Sequence, residues 1–251
     1  ICRKSAGGLG GKIVEKGFRL FELEPVGKNE SDEKLVHSNW LPVSQQHDAD
    51  QCSKILKKIK PEWLIVDHHA LDTEWESQLR HLTVNLMVID DLADRNHNCD
   101  LLLDQTFGRS AEDYLDLVPR HCTLLTGSEY ALLRSDFVEW RSYSIKRRRQ
   151  VSFNRLLISM GGVDSGNHTE TVLTRLTCCE LPDDLNITIV VGSGYSHFES
   201  LKMKADRLRC KVNIEVDVEN MAEIMAKSDV AIGAAGTTSW ERCCVGLPAI
   251  Q

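Results

Sequence analysis

Three glycine-bearing turns in the second half of the chain carry residues that could bind a phosphate. They read "SMGGVDSGN" (159–167), "VVGSGY" (190–195) and "AAGTTSWE" (234–241), and each follows an apolar run. Glycine lets the backbone approach a ligand closely, and a helix beginning there offers free N–H groups and a positive partial charge to an anion. An ordinary strand-to-helix turn looks the same, so one such turn is weak evidence. Three of them in one half favour a site for a nucleotide diphosphate.

The residues that follow these turns could cap a helix or contact a sugar. We expect Ser165, Asn167 or Thr169 to cap the helix after the first turn. Glu241 lies about one helical turn into the helix after the third, where its carboxylate could accept hydrogen bonds from a vicinal diol such as a ribose. The alternative is that Glu241 is only an acidic residue favoured by the helix dipole.

In the first half, "IVDHHALD" (65–72) places Asp67, His68 and His69 just beyond a predicted strand. Successive side chains of an extended chain point to opposite faces, so we do not expect the two histidines to bind one metal ion. One imidazole facing a ligand is the functional hypothesis for this turn, and a surface position is the alternative.

A second polar stretch of the first half, "VIDDLADRNHNCD" (88–100), has Asp90 and Asp91 at a predicted strand end. Two neighbouring carboxylates could bind a divalent cation. Arg95 and His97 follow closely, so a loop fixed by hydrogen bonds explains the same residues. The sequence leaves both hypotheses open.

Short apolar runs alternate with longer amphipathic segments along the chain. Runs rich in Val, Ile and Leu that alternate with helices are typical of parallel sheets covered on both faces, so the predicted fold class is α/β. We predict strands at 18–24, 63–69, 84–91, 100–106, 122–127, 155–162, 186–192, 212–218 and 229–236. We predict helices near 47–59, 72–81, 168–180, 198–209, 219–227 and 237–245.

A polar segment without sustained periodicity, "EWRSYSIKRRRQ" (139–150), separates two arrays of strands and helices. We therefore predict an N-terminal domain at 1–140, a linker at 141–150 and a C-terminal domain at 151–251. The basic run in this segment fits a solvated linker better than a nucleic-acid site, because the rest of the chain is acidic. Ligands of open α/β sheets bind at the carboxyl ends of the strands, so two such domains facing each other would form a cleft.

Composition excludes several classes of partner. The chain has 251 residues and a formal net charge of −7, so bulk attraction to nucleic acid or to an anionic membrane is not indicated. No apolar run is long enough to span a membrane, and no signal-peptide pattern opens the chain. The nine cysteines include no C-x-x-C pair, which indicates reduced thiols in a cytoplasmic protein. The oligomeric state stays open, and a monomer fits the sequence.

Both ends of the chain look cut. It begins at "ICRKSAGG" without a methionine and stops at "GLPAIQ", just after the start of a predicted strand. We therefore expect an internal fragment of a longer protein, truncated at both ends, with functional residues outside it.

Several motifs together resemble one enzyme family over nearly the whole chain. "VDHHALD", "DDLADRNHNCDLLLDQTFGR", "EYALLRSDF", "SMGGVDSGN" and "AAGTTSWERCCVGLPAI" are similar to the UDP-2,4-diacetamido-2,4,6-trideoxy-β-L-altropyranose hydrolases of pseudaminic acid biosynthesis. The glycine turns are shared with the related MurG-like glycosyltransferases. The resemblance implies a GT-B-type fold, with two Rossmann-like domains facing across a cleft and UDP held mainly by the second.

The resemblance also implies a reaction. It implies hydrolysis at the anomeric carbon of a UDP-activated deoxy-amino sugar with inversion, releasing UDP and free sugar without a metal or other cofactor. The principal base would be a histidine in an upstream "G-x-G-H-x-x-R" loop, so we expect this fragment to be inactive. Asp67, His68 and His69 would have supporting roles; His69 stands where the family reads tyrosine, and Thr106 where it often reads asparagine.

Matching motifs imply a set of UDP- and sugar-binding residues. These are Tyr130, Leu133 and Arg134 near the interdomain cleft; Gly161, Gly162, Asp164 and Asn167 beside the diphosphate and sugar; Gly192 and Gly194 in a neighbouring turn; Val218 and Met221 bordering the uracil; Gly236, Thr237 and Thr238 on phosphate; and Trp240 and Glu241 on the nucleotide or sugar. A glycosyltransferase on the same scaffold and a non-catalytic sugar-nucleotide-binding module are the alternatives.

Overall fold

The computed structural model describes residues 2–3, 10–24, 35–149 and 153–251. The chain divides into two compact units, Ile1–Leu132 and Leu133–Gln251. Each unit is an α/β structure built on parallel strands, as the alternation of apolar runs and helices predicts.

The first unit contains a four-stranded parallel sheet in the order β3-β4-β5-β6 and a separate parallel pair, β1-β2. Leu86, Val88 and Leu102 from its central strands are buried in one core with Trp75 and Leu79. Its strands are β1 (Cys2–Arg3), β2 (Glu22–Leu23), β3 (Trp63–Val66), β4 (Asn85–Ile89), β5 (Leu101–Asp104) and β6 (Thr123–Thr126). Its α-helices are α1 (Gly10–Glu15), α2 (Gln45–Ile59) and α3 (Thr73–Leu79), with 3-10 turns at Ser38–Trp40, Arg80–Leu82, Ala111–Tyr114 and Ser128–Tyr130.

The second unit contains a five-stranded parallel sheet in the order β11-β10-β7-β8-β9. The chain runs outward from β7 through β8 to β9, and then returns to build β10 and β11 on the other side of β7. Its strands are β7 (Arg155–Ser159), β8 (Asn186–Val191), β9 (Lys211–Val216), β10 (Val230–Gly233) and β11 (Ala249–Ile250). Its helices are α4 (Ser135–Arg148), α5 (His168–Leu176), α6 (Phe198–Ala205), α7 (Met221–Lys227) and α8 (Thr237–Cys244).

Strand β7 shows why the apolar runs are nearly continuous. Leu156 and Ile158 are buried in a core on one face of the sheet, and Leu157 is buried in a second core on the other. Successive side chains of a strand point to opposite faces, so a strand covered on both sides needs an apolar residue at every position.

The predicted linker at 141–150 is wrong where the structure describes it, and the second unit begins at Leu133 rather than at residue 151. Residues 135–148 form α4, whose Phe137 is fully buried in a core of the second unit. Ser144 donates to the Val245 carbonyl at 2.6 Å, and Arg147 pairs with Asp229 at 2.5 Å. The apolar periodicity is weak because this helix packs partly through a serine and two arginines.

The strand predicted at 18–24 is also much shorter, since only Glu22–Leu23 is extended there. The other predicted strands and helices are present, and most end a few residues earlier than the sequence indicated. Within the described ranges, no helix combines the length and apolar character needed to cross a membrane.

Candidate functional site

The strand order of the second unit brings two of the glycine turns together. β7 and β10 are neighbours, with Ile158 opposite Ile232 and Ser159 opposite Gly233. The turns that follow, 160–167 and 234–236, therefore leave the same edge of the sheet side by side. Strands β8 and β9 are added on one side of β7, and β10 and β11 on the other, so the strand order reverses between β7 and β10. Open α/β sheets bind ligands at such a point.

The turn after β7 leaves its two adjacent glycines uncovered. Gly161 has φ +96°, a conformation that favours glycine, and a Cβ atom at Gly161 or Gly162 would have no neighbour within 4 Å. Both residues are exposed. The backbone at this turn is therefore accessible to a ligand.

Asn167, one of the three expected residues, occupies the N-cap position of α5, but its side chain does not cap the helix. The capping side chain is that of Asp164, which the expectation of Ser165, Asn167 or Thr169 did not include. The buried Asp164 carboxylate accepts from the backbone N–H groups of His168 at 2.9 Å and Thr169 at 2.8 Å. Asn167 instead accepts a 2.7 Å hydrogen bond from the Tyr195 hydroxyl. The N-terminus of α5 thus already holds a negative charge, which disfavours a second anion there. Contacts of Asp164 and Asn167 with a diphosphate stay a prediction.

The turn after β8 is packed directly against the first turn. A Cβ atom at Gly192 would lie 2.2 Å from the Gly162 carbonyl oxygen, so no side chain fits there without backbone movement. At Gly194 the nearest atom would be Cγ2 of Val163 at 3.8 Å, an ordinary contact. Both glycines lie in the turn next to the first one, but only Gly192 is required by close packing. Their contact with a ligand stays a prediction.

The turn after β10 leads into a helix whose N-terminus is open. Gly236 is the N-cap residue with φ +117°, no side chain caps α8, and its first turn contains no acidic residue. Thr237 is exposed and Thr238 is half-buried. The Ser239 hydroxyl is engaged internally, because it accepts from Arg242 at 3.1 Å and Gln251 at 2.8 Å. The N–H groups and hydroxyls of Thr237 and Thr238 are therefore available to an anion, and their contact with phosphate stays a prediction.

Arg242 supports this turn from behind, and sequence reasoning missed it. It is 2% exposed and donates to the Ala234 carbonyl at 2.9 Å. A Cβ atom at Gly233 would lie 2.5 Å from its Nη1 and 2.8 Å from the Ser159 carbonyl oxygen. The buried guanidinium therefore fixes the turn and adds positive charge beneath it. Only its position one residue after Glu241 could have suggested this role.

Glu241 carries a carboxylate with free acceptor capacity. It is half-buried, and no hydrogen bond to its side chain occurs among the described residues. Burial raises the pKa of Glu241; Asp136 adds to this, whereas Arg134 and Arg242 oppose it. Such a group gains from a donor supplied by a ligand. Trp240, beside it, is half-buried.

Arg134, Val218 and Met221 also lie in the second unit. Arg134 pairs with Asp136 at 3.1 Å and donates to the Glu219 carbonyl at 3.3 Å, so it is attached to the segment between β9 and α7. Val218 and Met221 are half-buried against the core that contains Phe137. Their predicted contact with uracil stays a prediction. Leu133 begins this unit and is half-buried, whereas Tyr130 belongs to the first unit and is 37% exposed.

In the first unit, Asp67 is exposed and the two histidines have different partners. Nδ1 of His68 accepts from the Ala70 N–H at 3.1 Å, and burial lowers the pKa of His68, which favours the neutral imidazole. Nδ1 of His69 lies 3.5 Å from a carboxylate oxygen of Asp91.

His69 also belongs to an aromatic cluster that sequence reasoning missed. Its ring packs edge-on against Trp40 at 5.3 Å and lies 5.7 Å from His37. Trp40 remains 57% exposed. No sequence motif marks Trp40, because it reaches His69 only through the fold.

Asp90 fixes the loop after β4. It pairs with Arg95 at 2.8 Å and accepts from the Ala93 N–H at 2.9 Å and the Tyr114 hydroxyl at 2.8 Å. Burial alone would raise the pKa of Asp90, but Arg95 and these hydrogen bonds outweigh it and lower that pKa. Buried His97 similarly contacts Glu76 at 2.7 Å. This arrangement favours the loop-fixing hypothesis over the cation site.

One trio in the described ranges nevertheless has a spacing that a cation could use. Ligand atoms of His69, Asp90 and Asp91 lie within 4.8 Å of one another. Asp90 already contacts Arg95, Ala93 and Tyr114. That leaves His69 and Asp91, which are fewer ligands than a stable cation site needs.

Comparison with known proteins connects this geometry to sugar-nucleotide enzymes. Residues 156–251 match the glycosyltransferase family 28 C-terminal domain. The chain is 30% identical over 184 residues to the UDP-2,4-diacetamido-2,4,6-trideoxy-beta-L-altropyranose hydrolase of Campylobacter jejuni, covering 73% of this chain and 63% of that protein. It is 28% identical over 247 residues to the spore coat polysaccharide biosynthesis protein SpsG of Bacillus subtilis, covering 95% of this chain and 70% of that protein.

A solved structure shows the same fold. The crystal structure of Acinetobacter baumannii MurG matches with a TM-score of 0.59 and 14% identity, covering 95% of this chain and 65% of that one. This chain spans 49–70% of the lengths of the curated relatives it matches. The chain therefore has a MurG-like α/β fold of the GT-B type. Its residues 156–251 match the glycosyltransferase family 28 C-terminal domain, and its similarity to the Campylobacter jejuni hydrolase supports the family resemblance seen in the sequence.

Proposed function

We propose that the protein to which this chain belongs is a UDP-sugar hydrolase of pseudaminic acid biosynthesis. It cleaves the anomeric C–O bond of a UDP-linked 2,4-diacetamido-trideoxy sugar, with inversion, to release UDP and free sugar. The observation that carries the nucleotide part is the uncapped N-terminus of α8 beside the open turn at Gly161 and Gly162. The relative named as this hydrolase supports the reaction.

In this proposal the second unit binds UDP through backbone and hydroxyl groups. The N–H groups of Thr237 and Thr238 donate hydrogen bonds to phosphate oxygens, and the diphosphate lies against the exposed backbone at Gly161 and Gly162. Charge grows on the leaving phosphate as the anomeric bond breaks, and preorganised donors there stabilise the transition state. Glu241 accepts hydrogen bonds from the ribose diol.

The attacking water needs a base on the sugar face opposite UDP, because a single displacement inverts the anomeric centre. The family resemblance assigns the principal base to a histidine of a "G-x-G-H-x-x-R" loop, a motif that does not occur in this sequence. Among the supporting residues, His69 is the candidate for proton transfer, because its Nδ1 lies 3.5 Å from Asp91 without a hydrogen bond, and a carboxylate there would stabilise the imidazolium that forms when the ring accepts a proton. His68 uses its Nδ1 internally, and Asp67 is exposed.

The test uses the full-length protein and a UDP-linked diacetamido-trideoxy sugar without any acceptor. We expect steady UDP release and a product whose first detected anomer, by proton NMR, has the opposite configuration to the substrate. Glu241→Gln should slow turnover at limiting substrate, whereas Ser165→Ala, an exposed residue of the first turn, should not. No UDP release from the intact protein would overturn the proposal. The present chain alone should bind UDP weakly and show no turnover.

A glycosyltransferase is the second candidate, because the family model that matches residues 156–251 is that of glycosyltransferases. On this reading UDP release would depend on an added acceptor. UDP binding without release, with or without acceptor, would identify a non-catalytic sugar-nucleotide-binding module.

A further inference from the structure

Two thiols lie together at the end of the first sheet opposite to His69 and Asp91. Cys99 comes just before β5 and Cys122 just before β6, and these neighbouring strands pair with Leu101 opposite Thr123. The two sulfur atoms are 3.6 Å apart, within hydrogen-bond distance, and both thiols are free.

The surroundings of the two thiols differ. Cys99 is fully buried in the core of the first unit, whereas Cys122 lies at the edge of that core and is half-buried. A reagent from solvent therefore reaches Cys122 first. The hydrogen bond from the Cys99 thiol lowers the pKa of Cys122, and the same contact raises the pKa of Cys99. The sulfur of Cys122 is thus the better nucleophile, and the sulfur of Cys99 is close enough to react with it once it is oxidised.

We propose that Cys122 and Cys99 form a modification site that peroxides oxidise to a reversible disulfide. The Cys122 thiolate attacks one peroxide oxygen, the O–O bond breaks, and hydroxide leaves, taking a proton to form water. The Cys99 sulfur then attacks the resulting sulfenic sulfur. The S–O bond breaks, and the second hydroxide leaves with the Cys99 proton as water. Two thiols and one hydrogen peroxide give one disulfide and two waters.

The fold requires only a small movement of the two cysteines to form the disulfide. A disulfide requires the sulfur atoms to approach to about 2.05 Å, and the two residues precede strands that are already hydrogen-bonded to each other. The cross-link would enclose the segment that carries Tyr114, whose hydroxyl contacts Asp90 and Asp104 at 2.8 Å each. Oxidation would therefore restrain the segment that fixes the loop after β4.

The experiment treats reduced full-length protein with one equivalent of hydrogen peroxide and maps its peptides without reduction. We expect a peptide pair joined through Cys99 and Cys122, loss of two titratable thiols per chain, and recovery of both with dithiothreitol. Exposed Cys178 and Cys179 can also react, so the peptide map rather than the thiol count decides. Modification at those residues with Cys99 and Cys122 still reduced would overturn the proposal.

Three variants separate the roles. Cys99→Ser should leave a sulfenic acid at Cys122 that dimedone traps, and Cys122→Ser should leave Cys99 unmodified. Cys99→Ala replaces the serine variant if a buried hydroxyl impairs folding. Cys52→Ala, a buried cysteine of the same core whose thiol donates to Asp48 at 3.5 Å, is the matched control and should form the linked peptide as the parent does. Equal labelling of Cys122 by dimedone in the parent and in Cys99→Ser would show that Cys99 does not react with it.

Discussion

Helices α5 and α8 begin beside each other at the carboxyl ends of β7 and β10, but their N-termini differ. The N-terminus of α5 is closed by the carboxylate of Asp164, which accepts from two backbone N–H groups. The N-terminus of α8 has glycine at its cap position, no capping side chain and no acid in its first turn. Both follow glycine-rich turns, so glycine content alone does not identify an anion site. The two helix N-termini differ in that a carboxylate of the chain itself occupies the first and not the second.

The glycines at the ends of β7, β8 and β10 serve two different purposes. Gly192 and Gly233 are required because another part of the chain occupies the place of a side chain. At Gly161, Gly162 and Gly236 the place of a Cβ atom is empty, which leaves room for a ligand. The first kind of glycine maintains the fold, and the second kind is available for binding.

The largest expected effect is at a packing glycine. In Gly192→Ala the new methyl group would lie 2.2 Å from the Gly162 carbonyl oxygen, so both turns must shift. We expect a loss of about 1–3 kcal/mol in the free energy of unfolding, measured by urea unfolding, together with weaker UDP binding. Gly194→Ala is the control, because its nearest neighbour would be at 3.8 Å. Equal losses in the two variants would show that the turns are not coupled.

Glu241→Gln tests whether the open helix binds a nucleotide. The substitution keeps the shape and removes charge-assisted hydrogen bonds, which contribute roughly 1.5–3 kcal/mol. UDP affinity, measured by titration calorimetry, should fall about 10–100-fold. Thermal melts should show little change in stability. Unchanged UDP affinity would remove Glu241 from the site and leave it as an acid favoured by the helix dipole.

The raised pKa of Glu241 gives the same site a pH signature. The carboxylate of the unliganded protein becomes protonated at a higher pH than an ordinary glutamate, so UDP affinity should fall as the pH drops through that raised pKa. The stability contribution has the opposite sign: it is present below the unfolded-state pKa and is lost as the pH rises through the folded-state pKa. In Glu241→Gln the Glu241-dependent step should vanish, leaving only the titration of UDP itself.

Asp164→Ala tests the closed helix. Loss of a cap costs about 0.5–2 kcal/mol of stability, which urea unfolding would detect, whereas UDP affinity should stay the same or rise because a negative charge has been removed from the ligand edge. Ser165→Ala, next along the same turn and exposed, should change neither quantity. A fall in UDP affinity in Asp164→Ala at unchanged stability would instead assign Asp164 to the ligand.

The smallest expected change in stability is at an open glycine. A methyl group at Gly162 meets no atom within 4 Å, so the free energy of unfolding should stay within about 0.5 kcal/mol of the parent. UDP affinity should nevertheless fall if the diphosphate approaches this backbone. Calorimetry on Gly162→Ala decides this, and an unchanged affinity would restrict the phosphate contacts to the α8 turn.

The sequence locates the strands of the second unit and the glycine turns that follow them, but it does not predict the order of the strands in the sheet. Apolar runs such as "LLIS" in β7 show where strands are, because both faces of the sheet are covered. Glycine and hydroxyl residues in the sequence indicate the turns that follow these strands. Short motifs do not show which side chain turns back on its own helix, so the sequence assigns Asp164 only to a ligand, and Asn167 both to a cap and to a ligand. Arg242 went unnoticed because a buried arginine beneath a turn has no local signature.

Helix α4 shows a second reason why sequence patterns fail to predict an element. Its buried side is made by Phe137, Ser144 and the stems and charges of Arg147 and Arg148, so the apolar period that marks a helix is nearly absent. A run of basic residues then resembles a solvated linker. The structure instead directs these guanidinium groups to the Ser228 carbonyl and the Asp229 carboxylate.

The packing of α4 on the second unit determines where two related proteins could be joined in a chimera. A chimera joined at residue 150 would take α4 from one parent and Asp229 from the other, so Arg147 and its buried carboxylate would be paired only if both parents happened to match. A joint between residues 132 and 133 takes the helix, its arginines and the carbonyl groups that they contact from the same parent protein. Recombination between relatives should therefore succeed at the earlier joint and fail at the later one, although the later joint lies in the more linker-like sequence.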